Sequence, residues 1–161
     1  MKTPWPGAGA SPAFWIATWG GSGMLPKAPV TWGTLAALPC AYLILLIPGG
    51  WALPLATLLV LAAGLWASKI YMENAKTHDP GQIVVDEVVG QWLVLMPLGT
   101  LVKPLEWALA FALFRLFDIW KPWPISVADR RVKGAVGVML DDILAGAVGA
   151  LIMIGYVHVS R

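Results

Sequence analysis

Long apolar runs, separated by glycine, proline and charged residues, dominate the chain. Their lengths and boundaries predict five helical segments, over residues 33–47, 51–70, 83–102, 105–120 and 138–159. The second segment is long enough to cross the roughly 30 Å hydrocarbon core of a bilayer, whereas the first and fourth are short for that thickness. Residues 14–19 predict a short helix at a membrane interface, anchored by Trp15 and Trp19. The pattern predicts an all-α, polytopic membrane helical bundle with about five membrane helices and a short interfacial N-terminal helix.

The composition supports a membrane protein. Hydrophobic residues make up 58% of the 161 residues and charged residues only 12%, with a mean hydropathy of +0.73, whereas soluble domains are about one quarter charged. We expect a single integral membrane domain over 1–161, with 1–32 as an interfacial segment and loop and 33–159 as the bundle. The net charge of +2 and the absence of a basic stripe exclude a nucleic-acid partner. The single cysteine, Cys40, cannot build a disulfide framework or a thiolate metal site.

Lysine and arginine residues predict the orientation in the cytoplasmic membrane, because the side with more of them usually stays in the cytoplasm. Eight lie on the side that the predicted segments share with the N-terminus: Lys2, Lys27, Lys69, Lys76, Lys121, Arg130, Arg131 and Lys133. Only Lys103 and Arg161 lie on the other side. We therefore expect the N-terminus to be inside and the C-terminus outside.

Acidic residues gather at the cytoplasmic ends of the predicted helices. Asp86 and Glu87 begin the third segment, Asp118 lies near the end of the fourth, and Asp141 and Asp142 begin the fifth. Carboxylates at the edge of the hydrocarbon are costly unless they are paired, hydrated or bound to a cation. An all-oxygen donor set suits Mg²⁺ or Mn²⁺ better than Zn²⁺. The group predicts a divalent-cation site, although each acid taken singly also fits a helix-end or ion-pair role.

Within each adjacent pair, neighbouring helix positions differ by about 100°. One carboxylate of each pair is therefore expected to bind the cation directly. The other is expected to support it or to act as a general base.

A candidate phosphate site lies beside the acids. The stretch GGSGMLPKAPVTWGTLAALP leads into the first helix, where backbone N–H groups, with Thr31 or Thr34 as the cap, could bind an anion and Lys27 would add charge. The alternative for this stretch is a simple turn. Lys121 could bind phosphate or snorkel to lipid headgroups. Arg115 is expected to support the site from one turn deeper in the fourth helix.

Four stretches resemble the phosphatidylglycerophosphatase A family in their residues and their order: GSGMLPKAPVTWGTLAALP, THDPGQIVVDEVVGQW, FRLFDIWKPWPI and GVMLDDILAG. The resemblance runs from about residue 19 to residue 149. It implies an Mg²⁺-dependent, all-helical inner-membrane enzyme that removes the terminal phosphate of a phospholipid substrate, phosphatidylglycerophosphate. By position it implies the site residues His78, Asp79, Asp86, Glu87, Asp118, Lys121, Asp129, Asp141 and Asp142.

These inferences give a set of expected roles. The expected metal ligands are Asp79, Asp86, Glu87, Asp118, Asp141 and Asp142. The same acids apart from Asp79, together with His78, are expected to take part in catalysis, and the expected phosphate-binding residues are Lys121, Thr31, Thr34, Lys27 and Arg115. In this hypothesis water attacks the phosphate, an acid such as Glu87 or Asp142 accepts its proton, and Lys121 offsets charge. The sequence indicates no obligatory protein partner.

Other chemistries fit the residues less well. Cys40 is not followed by an arginine at P-loop spacing, and there is no D-x-D pair to supply an aspartyl nucleophile. A transferase using CDP-alcohols would carry a D-x-x-D-G-x-x-A-R pattern, which does not occur here. A divalent-cation or proton-coupled transporter remains an alternative, because acids in membrane helices also mark ion pathways. That alternative predicts acids near the bilayer midplane, whereas these acids lie toward one edge.

Overall fold

The computed structural model describes residues 4–77, 80–100 and 103–160. Within these ranges the chain forms seven α-helices and no β-strand, which confirms the all-α prediction. The helices are α1 Pro12–Ala17, α2 Pro29–Leu45, α3 Ala52–Ala75, α4 Val85–Leu95, α5 Pro104–Trp120, α6 Ile125–Arg131 and α7 Gly134–Ser160. Three short 3₁₀ segments, Ala8–Ala10, Ser22–Met24 and Met96–Leu98, complete the described secondary structure.

Two of the described helices, α3 and α7, are long and apolar enough to cross a membrane by length and composition. They contain 24 and 27 residues, and only 28% and 22% of their most apolar windows are buried inside the protein. Their apolar surfaces therefore face mostly outward, unlike those of a core helix in a soluble domain. Helices α2 and α5 have 17 residues each, or about 26 Å at about 1.5 Å per residue. Two candidate spans do not confirm the expectation of about five.

Helix α4 lies at the centre and contacts α2, α3, α5 and α7. Ten of its 11 residues are buried. It is shorter than the predicted segment 83–102, because the chain turns into 3₁₀ geometry at Met96–Leu98 and then reaches Gly99 with a positive φ of 63°. Its length of about 17 Å is too short to cross a bilayer. This segment is therefore an internal helix that the outer helices surround.

The N-terminal part of the chain packs against the segment that leads into α4. The backbone N–H of Val84, just before α4, donates to the carbonyl oxygen of Ala17 over 2.9 Å. Two glycines of the N-terminal part pack against the residues just before α4, where a side chain would not fit. A Cβ on Gly23 would lie 2.1 Å from the oxygen of Gln82, and a Cβ on Gly33 would lie 2.5 Å from Val84. The predicted N-terminal helix exists as α1, which is packed against α3, and its place at a membrane interface stays a prediction.

Helices α4 and α7 cross at two glycines. A Cβ on Gly146 would lie 2.5 Å from the carbonyl oxygen of Gly90, and a Cβ on Gly90 would lie 2.3 Å from the ring of Phe114. Small residues at a helix contact form such a packing surface. The backbones approach closely because neither crossing position carries a side chain.

The loop after α5 contains a helix that the sequence pattern did not predict. Helix α5 ends at Trp120, and its C-cap Lys121 has a positive φ of 45°. The seven-residue α6 then packs on α7 and buries Ile125 and Ala128. Helix α7 begins at Gly134, four residues before the predicted start. As a result, Asp141 and Asp142 lie about two turns inside α7 rather than at its first turn, which corrects the sequence-based placement.

Candidate active site

Three buried acids from two helices form the centre of the site. Asp86 and Glu87 come from the first turn of α4, and Asp142 comes from α7. One carboxylate oxygen from each lies within 4.8 Å of the others, and the three residues are between 4% and 7% exposed. The glycine crossing of α4 and α7 brings these acids together, since Gly90 and Gly146 each lie one turn beyond them.

The three acids have the properties of a cation site. Oε2 of Glu87 and Oδ2 of Asp142 are buried and have no hydrogen-bond partner within the described ranges. Oδ1 of Asp86 accepts a hydrogen bond from the backbone N–H of Glu87 over 3.1 Å. None of the ion pairs found among the described residues includes any of the three. Such carboxylates need a cation or protons to offset burial, and oxygen-only donors fit Mg²⁺. The residues present therefore fit the expected cation.

A second group of charges lies beside this cluster. The Nζ atom of Lys121 is 2.6 Å from Oδ1 of Asp129 and 2.5 Å from Oδ2 of Asp141. Burial disfavours the ammonium, but the hydrogen bonds with the two carboxylates outweigh this effect and raise the pKa of Lys121. The hydrogen bond from Lys121 lowers the pKa of Asp129. Both side chains are therefore charged at neutral pH.

The last acid of the site, Asp118, is in the final turn of α5 and forms an ion pair with Arg115 one turn earlier. Asp118 lines the cavity described below, whereas Arg115 does not. Asp118 is also not part of the three-acid group. The Arg115 guanidinium therefore pairs with the Asp118 carboxylate and does not reach the cavity.

All these groups except Arg115 face one cavity of about 580 Å³, which lies within the usual range for small-molecule sites. Its charged lining residues are Asp86, Glu87, Asp118, Lys121, Asp129, Lys133, Asp141 and Asp142. The start of α2 contributes Val30, and the start of α7 contributes Gly134, Gly137 and Val138. Six acids and two lysines thus converge from α4, α5, α6, α7 and the two loops that flank α6.

The threonine and lysine residues before and within α2 do not line this cavity. Ala28 is the N-cap of α2 and Pro29 follows it, so the helix begins earlier than expected and the prediction that Thr31 or Thr34 caps it is wrong. The hydroxyl of Thr34 donates to the carbonyl oxygen of Val30 within the helix. Lys27 is exposed, and none of Lys27, Thr31 and Thr34 is a lining residue. Their phosphate-binding roles stay predictions.

Two expected site residues, His78 and Asp79, lie outside the described residues, and their roles also stay predictions. The sequence interpretation missed Lys133 as a site residue, because it was counted only among the charges that set orientation. Its position four residues after Asp129 is the signal that could have placed it at the cavity, since the cavity includes both.

A family model and two relatives point to the same family. A statistical model of the family described as phosphatidylglycerophosphatase A matches residues 15–157. Phosphatidylglycerophosphatase A of Escherichia coli (strain K12) is 40% identical over 159 residues, covering 95% of this chain and 83% of that protein. Phosphatidylglycerophosphatase A of Haemophilus influenzae is 37% identical over 145 residues, covering 89% of this chain and 87% of that protein.

A third relative carries a different name. A Bacteroides thetaiotaomicron protein provisionally named phosphatidylinositol-3-phosphatase is 38% identical over 136 residues, covering 81% of this chain and 84% of that protein. No solved structure matches the chain significantly.

Proposed function

Because this chain belongs to the phosphatidylglycerophosphatase A family, we propose that it hydrolyses phosphatidylglycerophosphate to phosphatidylglycerol and phosphate in an Mg²⁺-dependent reaction at the cytoplasmic membrane. The family membership confirms the resemblance found in the sequence, and the chain is a phosphatase enzyme. The observation that carries the more specific proposal is the convergence of buried acids and Lys121 on one cavity.

The proposed cation ligands are Asp86, Glu87 and Asp142, whose carboxylate oxygens come within 4.8 Å of one another. When bound, Mg²⁺ would polarise the phosphoryl oxygens and offset the charge that develops on them. The three acids are buried and fixed by the packing of α4 on α7, so they would hold the cation with little reorganisation.

Lys121 and Asp141 are proposed to act on the phosphate and on the attacking water. The Lys121 ammonium lies at the cavity and would bind a phosphate oxygen through a charge-assisted hydrogen bond. Asp141 uses Oδ2 to hold Lys121, whereas its Oδ1 has no partner in the described part of the chain. That oxygen would accept the proton of the attacking water while the bond from phosphorus to the glycerol oxygen breaks. The oxygen of the attacking water stays on phosphorus as part of the released phosphate, and the glycerol oxygen takes up a proton from solvent and leaves as the hydroxyl of phosphatidylglycerol.

The membrane setting is supported by the outward-facing apolar surfaces of α3 and α7. Leu58 and Leu59 of α3 and Leu151 of α7 are 63%, 62% and 68% exposed. Contiguous apolar surfaces of this kind need an apolar partner. The lipid chains of a membrane would be such a partner, and the proposed lipid substrate lies in the same membrane. Lys121 and Lys133 line the cavity and belong to the lysine and arginine residues whose count predicts the cytoplasmic side, which supports a cavity that faces the cytoplasm.

The first experiment measures phosphate release by the purified protein in mixed micelles. Phosphatidylglycerophosphate, phosphatidic acid and phosphatidylinositol-3-phosphate are compared with Mg²⁺ and with EDTA. We expect hydrolysis of phosphatidylglycerophosphate that stops with EDTA and returns with Mg²⁺. Equal or faster hydrolysis of either competing lipid would contradict the proposed substrate, and turnover that survives EDTA would contradict the proposed cation dependence.

The second experiment tests the cluster itself. Asp142→Asn removes one of the three charges that would face the cation, so we expect phosphate release to fall by at least about 100-fold at saturating lipid, a loss of about 2.7 kcal/mol in transition-state stabilisation. Glu73→Gln is the matched control, because Glu73 is an exposed acid of α3 that does not line the cavity. Unchanged turnover in Asp142→Asn would remove the basis of the proposal.

A further inference from the structure

Gln91 is a buried amide whose hydrogen-bonding capacity is unused in the described structure. The residue lies on α4 and is 0% exposed. Neither its Oε1 nor its Nε2 has a hydrogen-bond partner among the described residues. Leaving a buried polar group unsatisfied costs about 1–3 kcal/mol, and most buried side-chain polar atoms in native proteins have a partner. Its burial therefore needs a reason beyond packing.

The position of Gln91 suggests that reason. It follows Glu87 by four residues, which places the two side chains on the same face of α4, about 5–6 Å apart at their Cβ atoms. Oε2 of Glu87 is also buried and without a partner in the described ranges. The neighbouring faces of α4 are already used, since Trp92 donates to the carbonyl oxygen of Ala37 and Gly90 crosses Gly146. Oε2 of Glu87 is therefore the unpaired acceptor that the four-residue spacing brings to the side of Gln91.

Gln91 lies one turn below the cavity and does not line it, whereas Glu87 does. A direct contact with a phosphate in the cavity is therefore not the role that the geometry supports. An amide N–H donor that holds one carboxylate oxygen fixes the direction of the other oxygen, and such outer partners of metal ligands typically change metal affinity by about 10–100-fold.

We propose that Gln91 is a positioning residue for Glu87: its Nε2 donates to Oε2 of Glu87 when the acid cluster holds its divalent cation, and so directs the other oxygen of Glu87 toward the cation. This inference rests on the proposed function, because it requires the cluster of Asp86, Glu87 and Asp142 to bind a cation. In this proposal the amide of Gln91 gains its hydrogen-bond partner when the cation is bound, which accounts for a polar side chain among the apolar residues of this part of α4.

The test uses Gln91→Met, which has similar length and no amide, on the full-length purified protein. Cation binding is measured without substrate, by the Mg²⁺-dependent rise in Tm and by Mn²⁺ binding followed by electron paramagnetic resonance. We expect the apparent affinity for either cation to fall by about 10–100-fold, while the Tm without cation stays the same or rises because an unsatisfied buried amide has been removed. In phosphate release, higher Mg²⁺ should restore most of kcat.

Ser68→Ala is the matched control. Ser68 is also 0% exposed and its hydroxyl also has no partner among the described residues, but it lies on α3, which carries none of the three acids of the cluster. Its cation affinity should stay within about twofold of that of the wild type. If Gln91→Met does not fold, Gln91→Asn carries the same test, because it keeps an amide that no longer reaches Glu87, and it should lose affinity in the same direction.

A double-variant cycle separates a positioning role from a merely structural one. If Gln91 acts through Glu87, adding Gln91→Met to Glu87→Gln should cause little further loss of cation affinity. Wild-type affinity in Gln91→Met, or fully additive losses in the double variant, would overturn the inference while the proposed function stands. If the wild-type protein itself binds no divalent cation and releases no phosphate, the proposed function fails instead.

Discussion

The close crossing of α4 and α7 gives the sharpest test of how the fold builds the site. Gly146→Ala would put a Cβ atom 2.5 Å from the carbonyl oxygen of Gly90, whereas ordinary contacts begin at 3.4 Å. The obstacle is backbone, which cannot rotate away as a side chain can. Helix α7 must therefore move from α4 by about 0.9 Å, and Asp142, one turn away on α7, moves with it relative to Asp86 and Glu87.

The magnitudes follow from this displacement. Overpacking of this kind costs about 1–3 kcal/mol, offset by up to about 1 kcal/mol because alanine favours a helix over glycine. At about 2–4 °C per kcal/mol for a protein of this size, we expect Tm to fall by several degrees. Activity should suffer more than stability, because a misplacement of about 1 Å among catalytic groups costs on the order of 100-fold. Phosphate release and thermal unfolding in the same detergent measure the two effects.

Gly155→Ala is the matched control for this experiment. It makes the same substitution on the same helix, but a Cβ there meets nothing within 4 Å. We expect unchanged activity and a Tm equal to or slightly above that of the wild type. Wild-type turnover in Gly146→Ala, or equal losses in both variants, would refute the argument that the glycine crossing sets the acid geometry.

Two further predictions concern single contacts. Lys121→Met should lower kcat/KM for the lipid phosphate by about 10²–10³-fold, since it removes a preorganised positive charge from the cavity. Lys121→Arg keeps the charge and should retain more activity. Equal losses in the two variants would argue against a charge effect. Trp92→Phe removes the 2.9 Å hydrogen bond to the carbonyl oxygen of Ala37. This loss should lower the free energy of unfolding by about 1 kcal/mol and Tm by a few degrees, without changing the Mg²⁺ dependence of phosphate release. A changed Mg²⁺ dependence would contradict a purely structural role of this bond.

Apolar periodicity predicted the helices well where they are long and exposed. The predicted segments 51–70, 105–120 and 138–159 correspond to α3, α5 and α7, whose ends differ by a few residues. The pattern failed for α4, because a helix that is buried on every side and an apolar chain that continues in 3₁₀ or extended geometry have the same composition. It also missed α6, whose seven residues carry too little periodicity to stand out.

The sequence predicted which acidic residues belong to the candidate site, but not which of them lie together within it. Charge in an apolar chain is conspicuous, so the acids of α4, α5 and α7 could be found without coordinates. Their division between the cation cluster and the ion pairs of Lys121 could not be predicted in this way. Asp141 and Asp142 are adjacent in sequence, yet Asp142 joins the cation cluster while Asp141 pairs with Lys121. That split depends on the rotation of α7 against α4, which the glycine crossing sets and which local sequence does not encode.

The charge balance of the cavity constrains the order in which its ligands bind. Six acids and two lysines line it, so with all six acids ionised and both lysines charged its formal charge is four units negative. A phosphate monoester, itself an anion, would be repelled from such a cavity, and the repulsion is strong where water is excluded. Lys121 cannot reverse it, because its charge is already shared between Asp129 and Asp141. In the proposed reaction the cation must therefore bind before the lipid phosphate or together with it, and the buried carboxylates of Glu87 and Asp142 act first as the cation's binding site.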